Sequence, residues 1–253
     1  MFDVKKEIAV CWDGCAAEYD DLYGHGLKSA AEAAAWKEFL RTAIGTTPQR
    51  ILDVGTGTGF LALLLAELGH EVTGIDLSDG MMEQGRKKAA ARKLAVTFRT
   101  GDAETLPAEM ESSFDVVINR HLLWTLLEPQ KALQEWYRVL KPGGRVMIID
   151  GNWKQLSAGD RLRRFFGNLL IAVTEFRNPW RQSSGYSAEL NGLLPMNRAD
   201  AALDPKSILK ACGFAHIAEM RLTEIDQIER RAMPLKVRLT KNCHRHMLSA
   251  VKI

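Results

Sequence analysis

The feature that most constrains the fold is a glycine-rich loop placed directly after a short apolar run. The run covers residues 51–54, and the loop continues as Gly55-Thr-Gly57-Thr-Gly59 before a second apolar stretch begins at Phe60. Glycines permit a positive φ and allow the backbone to approach a ligand closely at the amino terminus of a helix. The pattern therefore predicts a strand, a turn that faces a ligand, and a helix in direct succession.

Four further apolar runs follow before Gly151, at residues 71–76, 96–100, 114–119 and 145–150. Helix signals separate them: Ser78 or Asp79 can cap a helix, and Pro129 suits the first position of another. Strands this apolar are typical of parallel sheets that helices cover on both faces. The sequence therefore predicts a doubly wound α/β fold on a mainly parallel sheet.

The remaining segments complete the predicted organisation. Residues 216–222 and 246–253 are predicted as two last strands, which gives a seven-stranded sheet. Asp204-Pro205 predicts the start of a helix, with aspartate as its cap. The predicted units are an N-terminal helical lid segment at 1–46, a cofactor-binding core at 47–151, a helical insertion and acceptor lid at 152–204, and the C-terminal part of the sheet at 205–253.

Charge and composition narrow the class of partner. The chain has 253 residues, and its net charge of +3 gives no electrostatic reason to expect nucleic acid or an anionic membrane. No apolar run reaches the ~18 residues of a membrane span, and the amino terminus carries charges where a signal peptide is apolar. The four cysteines lack metal-ligand or disulfide spacing. We expect a cytoplasmic protein with reduced thiols and no bound metal; the oligomeric state stays open.

Two acidic residues follow the loop at the ends of successive predicted strands. Asp76 ends the second strand about twenty residues on, where a carboxylate can accept hydrogen bonds from ribose hydroxyls. Asp102 ends the third strand, where it could take an adenine amino proton. A phosphate-cradling loop would need a lysine followed by Ser or Thr, and Phe60 weakens a dinucleotide-binding interpretation without excluding it.

The loop and both acids stand within a longer series of motifs: Ile51–Gly59, Gly74–Ser78 with Met81 and Met82, Gly101–Glu104, Phe114–Ile118 and Leu140–Gly144. In this order they resemble the class I S-adenosylmethionine-dependent methyltransferases, nearest the branch with the menaquinone and ubiquinone C-methyltransferases. The resemblance covers roughly residues 48–151. It implies a Rossmann-like methyltransferase fold, S-adenosylmethionine as cofactor with S-adenosylhomocysteine as product, and a small-molecule methyl acceptor.

The resemblance also implies a role for individual positions. Asp53 would hold the loop, and its glycines would lie along the methionine part of the cofactor. Asp76 would bind the ribose, and Asp102 would bind the adenine amino group. The residues that it assigns to the cofactor are Tyr19, Tyr23, Asp53, Gly55, Thr56, Gly57, Gly59, Asp76, Leu77, Met81, Asp102, Ala103, Asn119 and Arg120.

Methyl transfer from a sulfonium is an in-line displacement, so alignment and desolvation can supply most of the acceleration. A general base is needed only if the acceptor keeps its proton at neutral pH. His121, just beyond the fourth strand, is the candidate base, and the alternative is that it satisfies a backbone group. The candidates for contact with the sulfonium charge are Trp12, Tyr19 and Trp124, with simple packing as the alternative.

Other functions stay open at this level. An RNA or protein methyltransferase and a non-catalytic S-adenosylmethionine-binding regulatory protein both fit the cofactor motifs. A nicotinamide dehydrogenase fits less well, because of Phe60 and the Gly101-Asp102-Ala103 segment. The aromatic residues of the insertion could line an apolar acceptor pocket or pack within a helical lid; they are Trp153, Phe165, Phe166, Phe176, Trp180 and Tyr186.

Overall fold

A seven-stranded sheet forms the centre of the computed structural model, which describes residues 4–151, 158–176, 186–197, 203–241 and 244–253. The strands lie in the order β3-β2-β1-β4-β5-β7-β6. Their bounds are β1 Arg50–Val54, β2 Glu71–Asp76, β3 Val96–Thr100, β4 Phe114–Arg120, β5 Leu140–Gly151, β6 Phe214–Arg221 and β7 Arg245–Lys252.

Helices connect the strands and flank the sheet. They are α1 Val4–Cys15, α2 Ala30–Ile44, α3 Phe60–Glu67, α4 Asp79–Arg92, α5 Pro129–Val139, α6 Ala158–Glu175, α7 Ala188–Leu193, α8 Pro205–Ala211, α9 Thr223–Ala232 and α10 Leu235–Thr240. Within the described residues, none of these helices combines the length and apolarity that crossing a bilayer would require.

The predicted strand directions are confirmed for the first five strands, which all pair in parallel. β7 runs antiparallel to both β5 and β6, so the sheet is mainly but not wholly parallel. β5 also begins earlier than predicted, because Leu140 pairs with Phe114 ahead of a register shift. The Lys-Pro-Gly-Gly turn therefore lies inside this irregular strand, where Gly143 has a φ of 76°.

Both faces of the sheet are buried, as the apolar strands predict. One core cluster is centred on Trp136 and Leu133, and the opposite one on Trp36 and Leu40; all four side chains have 0% exposure. The predicted caps are also present: Ser78 Oγ accepts from Met81 N at 3.0 Å. The sheet is thus a fixed frame, and the carboxyl ends of β1 to β5 lie along one edge of it.

The first helix, α1, lies within the segment 1–46 that the sequence predicts as a helical lid, although its bounds were not predicted. α1 buries Ile8 against Leu190 and Leu194 of the segment around α7, in a small third cluster. The predicted insertion is helical where the structure describes it, in α6 and α7, while 152–157, 177–185 and 198–202 lie outside the described residues. The division of the chain into four units stays a prediction.

Candidate active site

The glycine loop after β1 has the backbone geometry that its residues require. Gly55, Gly57 and Gly59 have φ values of 65°, 54° and 78°, in the region that favours glycine. A Cβ atom at Gly55 would lie 2.6 Å from Leu122 Cδ1, closer than two carbon atoms can approach. The loop therefore requires glycine for its backbone conformation, and a side chain at Gly55 would also require Leu122 to shift.

Asp53 holds this loop from within the core. Its side chain is 2% exposed, and Thr56 Oγ1 donates to Asp53 Oδ2 at 2.7 Å. Burial raises the pKa of the Asp53 carboxyl to about 7, against the opposing effect of that hydrogen bond. The contact joins the carboxyl end of β1 to the second residue of the loop.

Asp76, at the end of β2, holds the loop from the other side. Its two carboxylate oxygens accept from Gly57 N at 2.8 Å and from Ser78 N at 2.9 Å. Burial raises the pKa of Asp76, and these backbone hydrogen bonds oppose that rise. Each oxygen keeps a further lone pair for a ligand hydroxyl.

Asp102, beyond the end of β3, is paired with a cation from the first helix. Lys5 Nζ lies 2.5 Å from Asp102 Oδ2 and 2.5 Å from Glu104 Oε2. Burial disfavours the charged ammonium, but hydrogen bonds to both carboxylates outweigh it and raise the pKa of Lys5. Glu104 in turn accepts from Leu127 N at 2.6 Å, so the cluster also joins the start of α5.

These residues surround a first cavity at the carboxyl ends of β1, β2 and β3. α1 closes one side of it through Lys5, Ile8 and Trp12. The predicted site residues that line this cavity are Tyr19, Gly55, Gly57, Asp76, Leu77, Met81, Asp102, Ala103, Arg120 and His121. An adjoining recess is lined by Asp53 and Thr56, together with Tyr19 and Arg120.

Three predicted site residues line neither of these spaces. Gly59 caps the amino terminus of α3. Asn119 is fully buried within β4. Tyr23 lies outside both, with Lys28 Nζ 5.5 Å from the centre of its ring. The sequence prediction placed all three beside the methionine part of a cofactor.

A second cavity of about 720 Å³ lies beside the first. Its walls are largely apolar and aromatic, with polar groups from His25, His121, Asp150 and Asn191 among others. Trp12, Tyr19 and His121 line both cavities and form the partition between them. A molecule in either cavity could therefore contact these three side chains.

His121 has an unusual backbone conformation at this partition. Its φ is 60°, which is uncommon for a residue with a side chain and is enriched at functional sites. Its imidazole Nδ1 lies 3.4 Å from Asp150 Oδ1. Burial lowers the pKa of His121, although the hydrogen bond to Asp150 opposes this.

A second histidine stands next to it. The His25 ring centre lies 5.7 Å from that of His121 and 4.5 Å from that of Tyr19. Burial lowers the pKa of His25 to about 2, so the imidazole is neutral at physiological pH. Burial likewise raises the pKa of Tyr19 to about 12, which keeps its hydroxyl protonated.

Arg120 fixes the turn that carries His25. Its guanidinium donates to Gly24 O at 3.3 Å and to His25 O at 2.5 Å. The same group lies 3.5 Å from the centre of the Phe60 ring, a cation–π contact. Burial lowers the pKa of Arg120 to about 10, so it remains a cation.

The aromatic residues of the insertion divide into two groups. Tyr186 accepts a hydrogen bond from Trp12 Nε1 and packs near the partition. Phe165, Phe166 and Phe176 are 52%, 53% and 95% exposed. These three residues and Tyr186 line neither cavity, so none of the four forms the predicted apolar acceptor pocket. Trp153 and Trp180 lie outside the described residues.

Sequence reasoning missed several residues of the site. Lys5 and Ile8 lie on α1, within the predicted helical lid segment, and no local signal links them to the sheet edge. Asp150 could have been found, because an acid at the end of β5 lies next to the residue that follows β4 in a parallel pair.

Among the described residues, no group of His, Cys, Asp and Glu has an arrangement suited to a metal ion.

Comparison with known proteins identifies the class of protein to which this fold and site belong. The family described as "Methyltransferase domain" matches residues 52–148. A demethylmenaquinone methyltransferase of Clavibacter sepedonicus is 35% identical over 219 residues, which cover 86% of this chain and 86% of that protein. The chain belongs to the S-adenosylmethionine-dependent methyltransferase family.

Other relatives match over a shorter region. The demethylmenaquinone methyltransferase of Renibacterium salmoninarum is 35% identical over 145 residues, or 57% of this chain and 58% of that protein. The chain thus spans less than two thirds of that relative's length. A Haemonchus contortus phosphoethanolamine N-methyltransferase 2, solved in complex with S-adenosyl-L-methionine, shares the fold with a TM-score of 0.65 and 22% identity, covering 100% of this chain and 60% of that one.

Proposed function

We propose that the protein binds S-adenosylmethionine in the first cavity and methylates a small-molecule acceptor held in the second. The observation that carries this proposal is the shared wall: Trp12, Tyr19 and His121 line both cavities. Two ligands that react by in-line displacement must meet at such a boundary, with their reacting atoms aligned.

The residues of the first cavity fit this cofactor. Asp76 has lone pairs for the ribose hydroxyls, and Asp102 is the acceptor for the adenine amino group. Leu77 and the buried Met81 supply apolar cover for the adenine, with the Ala103 backbone beside it. Bound there, the cofactor would supply a methyl group already activated by a sulfonium.

The methionine part is assigned to the other end of the site. The backbone of the loop, from Gly55 to Gly59, would lie along it, with Asp53 and Thr56 holding the loop in shape. Arg120 and Tyr19 line the recess at this end. The roles of Tyr23 and Asn119 in contacting the methionine part stay predictions from the resemblance.

The acceptor is proposed from the walls of the second cavity and from the relatives. Most of the exposed surface of the cavity is apolar, with aromatic side chains among its lining residues, which suits a largely apolar small molecule. Relatives carry the name demethylmenaquinone methyltransferase, so a reduced naphthoquinone is the first acceptor to test. The predicted cytoplasmic location and the absence of a nucleic-acid partner stay predictions.

Calorimetry with S-adenosylmethionine, S-adenosylhomocysteine and NADH tests the cofactor. We expect both sulfur ligands to bind and NADH to give no heat. Incubation with S-adenosylmethionine and 1,4-dihydroxynaphthalene, followed by mass spectrometry, tests the reaction. A protein that binds NADH and neither sulfur ligand would contradict the proposed function.

A further inference from the structure

The sheet register brings Asp150 beside His121. Arg120, the last residue of β4, pairs with Ile149 of β5, so the next residues along both strands are neighbours. His121 N donates to Ile149 O at 3.0 Å, which fixes the backbone at this point. The imidazole of His121 and the carboxylate of Asp150 therefore emerge together at the floor of the second cavity.

The carboxylate is itself held in place. Asp150 Oδ1 accepts from Gly151 N at 2.7 Å and faces His121 Nδ1 at 3.4 Å. A carboxylate can only accept hydrogen bonds, so this contact favours the proton on Nδ1 and leaves the lone pair on Nε2. Asp150 is the only carboxylate among the described residues that line the second cavity.

We propose that Asp150 is a positioning residue that holds His121 as the Nδ1–H tautomer, with Nε2 as a base toward the acceptor. The proposal rests on the proposed function and deepens it. It also assigns the acceptor to molecules that must lose a proton when methylated, such as those with a phenolic or enolic hydroxyl. Acceptors that react through a free lone pair without losing a proton have no use for this pair.

The proton and electron balance follows from the in-line reaction. A bond forms between the acceptor atom and the methyl carbon as the methyl–sulfur bond breaks, and its electron pair stays on sulfur, which becomes a neutral thioether. The acceptor gives its proton to His121 Nε2. The imidazolium that results is stabilised by the negative charge of Asp150, as in other histidine bases that a carboxylate orients.

The charges around His121 explain why its imidazolium form needs the carboxylate of Asp150. Burial disfavours imidazolium, and Arg120 and Arg245 add positive charge that opposes protonation. The other titratable groups that face the same space are His25 and Tyr19 from the N-terminal segment, and Lys241 and His246 from the C-terminal part. Asp150 opposes these effects and favours the protonated form, both by its hydrogen bond and by its charge.

The test is histidine-selective nitrogen NMR on the wild type, Asp150→Asn and Asp79→Asn, each bound to S-adenosylhomocysteine. Asp79 lies on α4 with its side chain 67% exposed, so its variant is the matched control. We expect the Nδ1–H tautomer of His121 in the wild type and control. Asp150→Asn should show a tautomer mixture and a lower His121 pKa. The Nε2–H tautomer in wild type, or an unchanged spectrum in Asp150→Asn, would overturn the proposal.

Kinetics give an independent readout. With 1,4-dihydroxynaphthalene as acceptor, Asp150→Asn should lower kcat on the order of 100-fold, the low end for a positioned general base, with little change in KM. If KM rises and S-adenosylhomocysteine affinity falls by factors similar to the loss in kcat, the substitution disturbs the fold. That result would overturn the positioning role. Failure of wild-type protein to bind S-adenosylhomocysteine would instead contradict the proposed function.

Discussion

Trp12 donates its indole Nε1–H to the hydroxyl of Tyr186 at 2.7 Å, across 174 positions of sequence. The contact ties α1, which closes the first cavity, to the segment that contributes Asn191 and Met196 to the second. Ile8, Leu190 and Leu194 pack in the same small cluster. Closure over one cavity therefore coincides with completion of the wall of the other.

A double-mutant cycle measures this tie. Trp12→Phe and Tyr186→Phe each remove one partner of the hydrogen bond, and we expect a coupling free energy of about 0.5–1.5 kcal/mol in chemical denaturation. Trp124→Phe with Tyr186→Phe is the control pair, because the centres of those two rings lie 5.7 Å apart and no hydrogen bond joins them. Equal coupling in both cycles would show that ring packing, and not the hydrogen bond, joins the segments.

Asp76→Ala should weaken binding of S-adenosylhomocysteine by about 1–3 kcal/mol, since hydrogen bonds to a charged acceptor are lost. Calorimetry measures the change. Asp76→Asn keeps one oxygen for Ser78 N and should lose less. Asp79→Ala, three residues away and exposed, should bind as the wild type does. Unchanged affinity in Asp76→Ala would remove this residue from the cofactor site.

Gly55→Ala should destabilise the protein more than Gly69→Ala. Both positions have a positive φ, 65° and 89°, so both alanines carry backbone strain of about 1–3 kcal/mol. Only at Gly55 would the new Cβ also meet Leu122, because nothing lies within 4 Å at Gly69. Thermal unfolding of both variants measures the difference, and equal losses would mean that Leu122 moves aside freely.

Acid should destabilise the protein through His25. Its folded-state pKa, about 2, lies below the unfolded value of 6.5. The unfolded chain therefore binds more protons as pH falls through 6.5, and the stabilisation from a neutral His25 is lost on that side. Between about pH 7.5 and 5.5, wild type should lose about 1.4 kcal/mol more unfolding free energy than His25→Asn. Parallel losses in the two proteins would contradict the buried neutral state.

The sheet could be predicted because its determinants are local. Gly55, Gly101 and Gly151 directly follow three of the apolar runs. Parallel strands need both faces buried, so the pattern around the Gly55 loop left few topologies. The antiparallel direction of β7 was harder to predict, because the residues of β6 and β7 do not indicate in which direction the chain returns through the sheet. The caps at Ser78 and Asp204 were predictable from side-chain chemistry alone.

The positions of the acids in the site were predictable, whereas the individual contacts made by the N-terminal lid segment were not. Asp76 and Asp102 follow strands, so their position at the sheet edge comes directly from topology. Lys5 reaches Asp102 only because α1 folds back across the molecule, a contact between positions 97 apart. The same holds for Trp12 and Tyr186. Contacts of this kind depend on tertiary packing that no sequence period records.

The two cavities are lined by mostly different residues, so the preference for one acceptor over another could change separately from donor binding. Asn191, Met196 and Leu203 line the second cavity and not the first, whereas Asp76, Met81 and Asp102 line the first and not the second. Substitutions in the first group could change which molecule is methylated while the donor chemistry is retained. Trp12, Tyr19 and His121 serve both sides, so mutational tolerance should be lowest at these three positions.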